Sequence, residues 1–166
     1  MDLDTEGQSH AGIDSPALAS GRKLTLNIGV LVQPYRSSGK GVSAVTTGDV
    51  AHILEEKYGL FSAFYRTHQK SIADGAASSM QSALEALMLG QAIDPWGPWA
   101  QQIQREFRDF ISSREAERVG MAGVPTKAAL RGVNHRLAHP YRRGNARRPS
   151  FRDTGLLMNS ARAWVT

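Results

Sequence analysis

An α+β fold is predicted for this chain, with a small antiparallel or mixed β-sheet packed against several α-helices, an extended N-terminal arm and a long arginine-rich loop. Three observations predict it. Near the start, Leu24, Leu26, Ile28, Val30 and Val32 alternate with Thr25, Asn27, Gly29, Leu31 and Gln33, and a period of two marks a half-buried strand. Later segments repeat their apolar residues at helical spacing. At the far end Ala161, Ala163 and Val165 alternate with Arg162, Trp164 and Thr166, so a last strand is predicted to pair with the first.

In chain order, residues 1–22 mix Asp, Ser, Gly and Ala without a hydrophobic period and read as a flexible arm, leaving 23–166 as one domain. Pro34 closes the first strand, Tyr35 to Gly41 form a loop, and Val42–Val45 add a short strand. Thr47 precedes a short amphipathic helix in which Val50, Ile53 and Leu54 share a face and Gly59 supplies the stop. Phe61, Phe64 and Tyr65 form an aromatic cluster expected in the core. A longer helix runs from about Ser71 to Leu89 through Ile72, Met80, Ala83, Leu84, Leu87 and Met88, with Gly90 after it.

The Asp94-Pro95-Trp96-Gly97-Pro98 stretch is a break and a new start. From Trp99 to about Arg118, Ile103, Phe107, Phe110 and Ile111 make one stripe, the strongest helix signal in the chain. Gly120–Pro125 is a loop, and Thr126 to about Leu137 reads as a further short helix through Ala128, Ala129, Leu130 and Val133. Residues 138–152 hold two prolines and five arginines without a period, which predicts an extended loop. The end is one or two helical turns capped by Asp153 or Thr154, then the last strand.

Composition excludes several classes. No apolar run approaches the roughly 20 residues that cross a bilayer, so no membrane role is expected. The acidic, polar opening Met1-Asp2-Leu3-Asp4 lacks the basic start and apolar stretch of a secretory signal, which predicts synthesis and retention in a cytoplasm until assembly. The chain has no cysteine, which removes thiolate nucleophiles and cysteine-ligated metals. Its net charge of +5 is polarised: from Thr126 onward nine Lys/Arg face one acid, Asp153, so that third carries +8 and the rest −3. Such polarity predicts an acidic partner, nucleic acid or protein.

Enzymatic patterns are weak. Gly39-Lys40 lacks the upstream glycine and following Ser or Thr of a phosphate-binding loop, since Pro34 and Gly41 hold those places. His135 and His139 have zinc-helix spacing, but Pro140 interrupts the helix and no acid nearby offers a further ligand. Glu55 and Glu56 are adjacent and point apart, so they make no acid/base pair. Combinations of Asp109 with His52 or His68 and a serine carry no information without geometry. No enzyme activity, metal or cofactor is therefore predicted.

Three segments in order carry a resemblance, and the first is the opening strand from Leu24. Val50-Ala51-His52-Ile53-Leu54-Glu55-Glu56-Lys57-Tyr58-Gly59 followed by Phe61, Phe64 and Tyr65 resembles an Ala-x-x-x-Glu-x-Gly-like element ahead of an aromatic patch. Near the end Pro149, then Asp153-Thr154-Gly155-Leu156, then Ser160 and an alternating strand resemble the C-terminal signature of the same family. The family is that of small tailed-bacteriophage morphogenesis proteins: neck, head–tail connector or tail-completion proteins. A proline pair usual before Phe-x-Arg in that family is absent here.

The resemblance implies a structural virion protein assembled in the host bacterial cytoplasm, a homo-oligomeric ring, six-fold or twelve-fold, through which DNA passes. Its implied partners are the portal-side connector and the tail-terminator or tail-tube proteins. Its alternatives are a tail terminator or another tail-tube or baseplate protein, and, from a different class, a basic nucleic-acid-binding module. Read from the residues, Asp153, Thr154, Gly155 and Leu156 are a helix-capping turn rather than a reactive site. Arg142, Arg143, Arg147, Arg148 and Arg152 are read first as docking on an acidic ring, with DNA in the channel or a solvated charge run as the alternatives.

Overall fold

The computed structural model describes residues 24–35, 45–135 and 137–166, so the expected arm and most of the loop after Tyr35, Gly39-Lys40 included, lie outside it. The described residues are α+β, with five α-helices and a two-stranded antiparallel sheet. Strand β1 (Leu26–Val30) pairs with β2 (Ala161–Val165), Leu26 opposite Val165 and Val30 opposite Ala161. The ladder extends at its open end, where Thr25 and Thr166 exchange backbone hydrogen bonds of 2.7 and 3.0 Å. First and last strands pair as the alternation predicts, though β1 is shorter than the 24–32 run.

Two strands alone are marginal in water and need a partner surface. That surface is α3 (Trp96–Ser112). Its stripe of Trp99, Ile103, Phe107, Phe110 and Ile111 is buried, as the spacing predicts. Phe61 stacks on Phe107 at 4.9 Å, while Phe64 meets Phe107 and Phe110 edge-on at 5.2 and 5.6 Å. Ala161 and Met158 close the other side. The helix starts on Asp94, whose carboxylate accepts from the Trp96 and Gly97 N–H groups, a side-chain cap of free amides.

Helix α1 (Thr47–Tyr58) begins one residue earlier than its apolar pattern predicts. Thr46 caps it and, with Asp49, forms a capping box. Thr47 is wholly buried. Its hydroxyl donates to the Leu31 carbonyl at 2.6 Å and accepts from the Gln33 N–H at 2.8 Å, which satisfies backbone groups where β1 gives out. The inward face is therefore the buried Thr47 and Ala51 with the half-buried Leu54 and Tyr58, and Ile53 points outward.

Gly59, at φ +63°, ends α1 and opens α2 (Leu60–Met88). This corrects the expected break before Ser71: the aromatic residues are the first turns of one 29-residue helix. Glu55 makes the junction, accepting from the Phe61 and Ser62 N–H groups and from the Ser62 hydroxyl; a carboxylate suits a helix N-terminus. Tyr65, expected in the core, is about half exposed. Farther along, the Trp99 indole N–H donates to the Ile72 carbonyl at 3.1 Å, and Gly75 leaves room for that ring, which any Cβ there would meet at 2.9 Å.

After α3, Arg114 turns the chain at φ +66° into a 3-10 turn at Glu115–Glu117. The predicted helix to Leu137 is only α4 (Lys127–Leu130), and α5 (Leu156–Ser160) leads directly into β2. Phe107 sits where α2, α3 and β2 meet, so Phe107→Ala is expected to lower unfolding free energy by about 3–5 kcal/mol. Denaturant titration checks this, and a loss below 1 kcal/mol would contradict the placement of the core.

Candidate functional site

The basic C-terminal third is folded back onto the rest of the chain by one buried carboxylate. Glu117, with its side chain 5% exposed, accepts from the Ser150 N–H at 2.9 Å and from the Ser150 hydroxyl at 2.8 Å through one oxygen. Its other oxygen pairs with Arg147. Ser150 is itself buried and accepts from the Thr126 N–H at 3.0 Å. Burial acts to raise the Glu117 pKa, but the two Ser150 bonds and Arg147 outweigh it and hold the carboxyl below its ordinary value.

Gly132 fixes the second contact. Helix α4 ends there at φ +66°, with the Val133 N–H bonding to the Ala128 carbonyl and the Gly132 N–H to that of Ala129, a glycine-ended helix stop. A Cβ on Gly132 would come within 2.5 Å of the Asn145 carbonyl and 2.6 Å of that of Ala146. The helix therefore stops because the returning chain lies against it. Arg148 then bridges the two passes: it donates to the carbonyls of Val133, Pro149 and Arg152.

The five arginines of the run thus divide. Arg147 and Arg148 are engaged within the chain, Arg147 with Glu117 and Arg148 with three carbonyls. The guanidiniums of Arg142, Arg143 and Arg152 have no carboxylate partner among the described residues. Arg142 and Arg143 line an open hollow of about 700 Å³ together with Arg131, Tyr141, Leu130 and Val133. Arg131 was not singled out by the sequence, because it is eleven positions before Arg142.

The turn signature is used differently from its predicted capping role. Asp153 does not cap α5. Its carboxylate accepts from the His135 N–H at 2.9 Å and pairs with His135 Nδ1, while His135 Nε2 lies 2.9 Å from the Tyr141 hydroxyl. Burial acts to raise the Asp153 pKa, and the His135 hydrogen bonds and charge, with Arg148, bring it below normal. Thr154 does serve the helix start, its hydroxyl accepting from the Leu156 N–H at 3.2 Å. Gly155 adopts φ +82°. Leu157 is buried, and Leu156 only partly.

The signature also borders a second hollow, of about 350 Å³, shared with Tyr35, Leu54, Tyr58 and Phe151. Burial pushes the Tyr35 phenol up, a backbone hydrogen bond with Leu157 opposes this, and the Asp153 charge adds to the rise. Phe151 packs edge-on against Tyr58 at 5.2 Å and so is held within the fold. His135 and His139 do not combine into a metal site: no group of three or more His, Asp or Glu suited to a metal occurs among the described residues. No described helix is long and apolar enough to cross a membrane.

In comparisons with known proteins, no family model, no curated protein and no solved structure matches this chain.

The Glu117 node carries two expectations. Glu117→Gln keeps the shape and loses the charge, so unfolding free energy at neutral pH falls by about 1–3 kcal/mol. Because the folded-state pKa values of Glu117 and Asp153 are lowered, their contribution is complete above the ordinary carboxylate range and lost as pH falls through the lowered values. Unfolding titrations between pH 7 and pH 2 are expected to show this acid loss in the wild type and a shallower one in Glu117→Gln. Gly132→Ala is expected to destabilise by more than about 1 kcal/mol, read in the same assay.

Proposed function

We propose that this protein is a non-enzymatic structural subunit of a tailed-bacteriophage virion, forming part of the ring at the neck where head and tail are joined. The resemblance of the Asp153-Thr154-Gly155-Leu156 turn and of the segment around Glu55 to such proteins points to the address. The observation that carries the ring is the far end of α2. Beyond Ala76 the helix leaves the core, and Leu84, Leu87, Met88 and Leu89 stand exposed, Met88 at 87% and Leu89 at 78%, with Ile93 just after. The helix is fully formed there, and Gly90 at φ +72° ends it with bonds from its own N–H and that of Gln91 to the Leu87 and Ala86 carbonyls.

A run of exposed apolar residues on an ordered helix marks a contact surface rather than scattered surface variation. Its occupant is a second copy of this chain. Leu31, Val32, Val45 and Ile53 are also exposed, and they lie around the end of β1 and α1, a different part of the fold. An apolar projection at one place and an apolar patch at another give a head-to-tail contact, the kind that closes into a ring. Synthesis in the bacterial cytoplasm and residence in the virion neck belong to the same proposal.

The test is solution mass by light scattering. Wild-type protein is expected to form closed oligomers. The triple variant Leu84→Gln, Leu87→Gln, Met88→Gln is expected to be monomeric with its unfolding free energy within about 1 kcal/mol of wild type, since exposed sites contribute little to folding. A wild-type monomer at every concentration, or a variant whose mass does not fall, would remove the ring.

A further inference from the structure

The hollow beside Tyr141 has an electrostatic makeup that the fold alone does not require. Arg131 comes from the end of α4, and Arg142 and Arg143 from the loop that folds back on it; all three are exposed and border one hollow. Among the described residues none of the three has an ion-pair partner, and no acidic residue lines the hollow. Three like charges around one depression give it a positive potential that favours an incoming anion.

The depression is also built rather than incidental. Gly132, where any side chain would strike the returning backbone, brings Arg131 beside the loop, and the Asn145 side-chain amide donates to the His139 and Pro140 carbonyls at 3.0 Å each. Tyr141, 73% exposed, is held at its hydroxyl by His135, which Asp153 orients in turn. An exposed aromatic ring is thus fixed as one wall.

We propose that this hollow is a binding site for the phosphodiester backbone of nucleic acid. A carboxylate holds its two oxygens in one plane and matches a single guanidinium fork well, whereas a tetrahedral phosphate spreads its oxygens out of any one plane and is better met by more than one arginine. Three forks around one hollow therefore match phosphate better than an acidic side chain, and the Tyr141 ring gives an apolar face for the adjoining sugar. Such contacts are independent of base sequence and weaken with salt. The site rests on the proposed neck role only in that DNA passes there.

The experiment is fluorescence anisotropy of the full chain with a labelled DNA duplex across a salt series, with light-scattering mass recorded on the same samples. Arg131→Ala, Arg142→Ala and Arg143→Ala are each expected to weaken binding several-fold and to flatten the slope of log affinity against log salt by up to about one. Arg66→Ala and Arg105→Ala remove equal charge elsewhere and are expected to leave both quantities where they were. Arg142→Lys, which keeps the charge and loses the fork, is expected to fall between wild type and Arg142→Ala, and unfolding curves verify that each variant is folded.

Three results overturn the site. Equal losses in Arg66→Ala and Arg142→Ala would mean only the net charge of the chain acts. Inorganic phosphate competing as well as duplex would make the hollow a free-anion site. Poly-glutamate binding more tightly than duplex, with the same arginine dependence, would make it a dock for an acidic protein. A normal ring mass beside any of these would leave the neck proposal standing, and an absent ring beside arginine-dependent DNA binding would remove that proposal while keeping the site.

Discussion

The seating of the Phe107 and Phe110 face of α3 between α2 and the β1–β2 pair governs the rest of the structure. A sheet of two strands has too few cross-strand contacts to stand alone, and α2 buries its apolar face only over its first half. Each becomes stable by burying that surface on α3. The Trp99 indole bond to the Ile72 carbonyl fixes how α3 lies along α2. Arg108 fixes the other side, donating to the Met158 and Asn159 carbonyls at 3.3 and 3.4 Å where α5 ends. Core packing and two polar ties together determine where β2 can begin.

Much of this frame was legible in the sequence. The α3 stripe and the terminal alternation that pairs β2 with β1 depend on periodicity, which burial on one face enforces locally. What was not legible depends on partners distant in the chain. The start of α2 was hidden because the cap on its first turn comes from Glu55 in the preceding helix, a residue with no local mark of that role. The early end of α4 was hidden because the obstacle at Gly132 is the backbone of Asn145 and Ala146. Thr47 looked like a cap and is instead a buried hydroxyl serving the end of β1.

The same limit applies to the arginines. As a run, Arg142 to Arg152 reads as one positive segment, and nothing local separates its members. The fold separates them: Glu117 and three carbonyls hold Arg147 and Arg148, and the others remain at the surface. Arg131 joins Arg142 and Arg143 only because α4 ends where it does. Likewise Asp153 reads as a helix cap from its place before Thr154-Gly155, yet it faces backward to His135, eighteen residues earlier. In both cases the inner residues position the loop and leave the outer ones available.

The pairing of β1 with β2 has a consequence for the order of events during synthesis. Asn27 and Thr166, joined by a side-chain hydrogen bond, are 139 positions apart. A nascent chain leaving the ribosome can form α1, α2 and α3 early, but β1 has no strand to pair with until Ala161–Val165 has emerged. Contacts at such separation form late, since the loop-closure cost precedes their gain. The interval leaves α3 with one side uncovered, where Ala161 and Met158 will later sit. Closure of the core therefore waits on β2, and a chain cut before Ala161 would leave both β1 and this side of α3 without their cover.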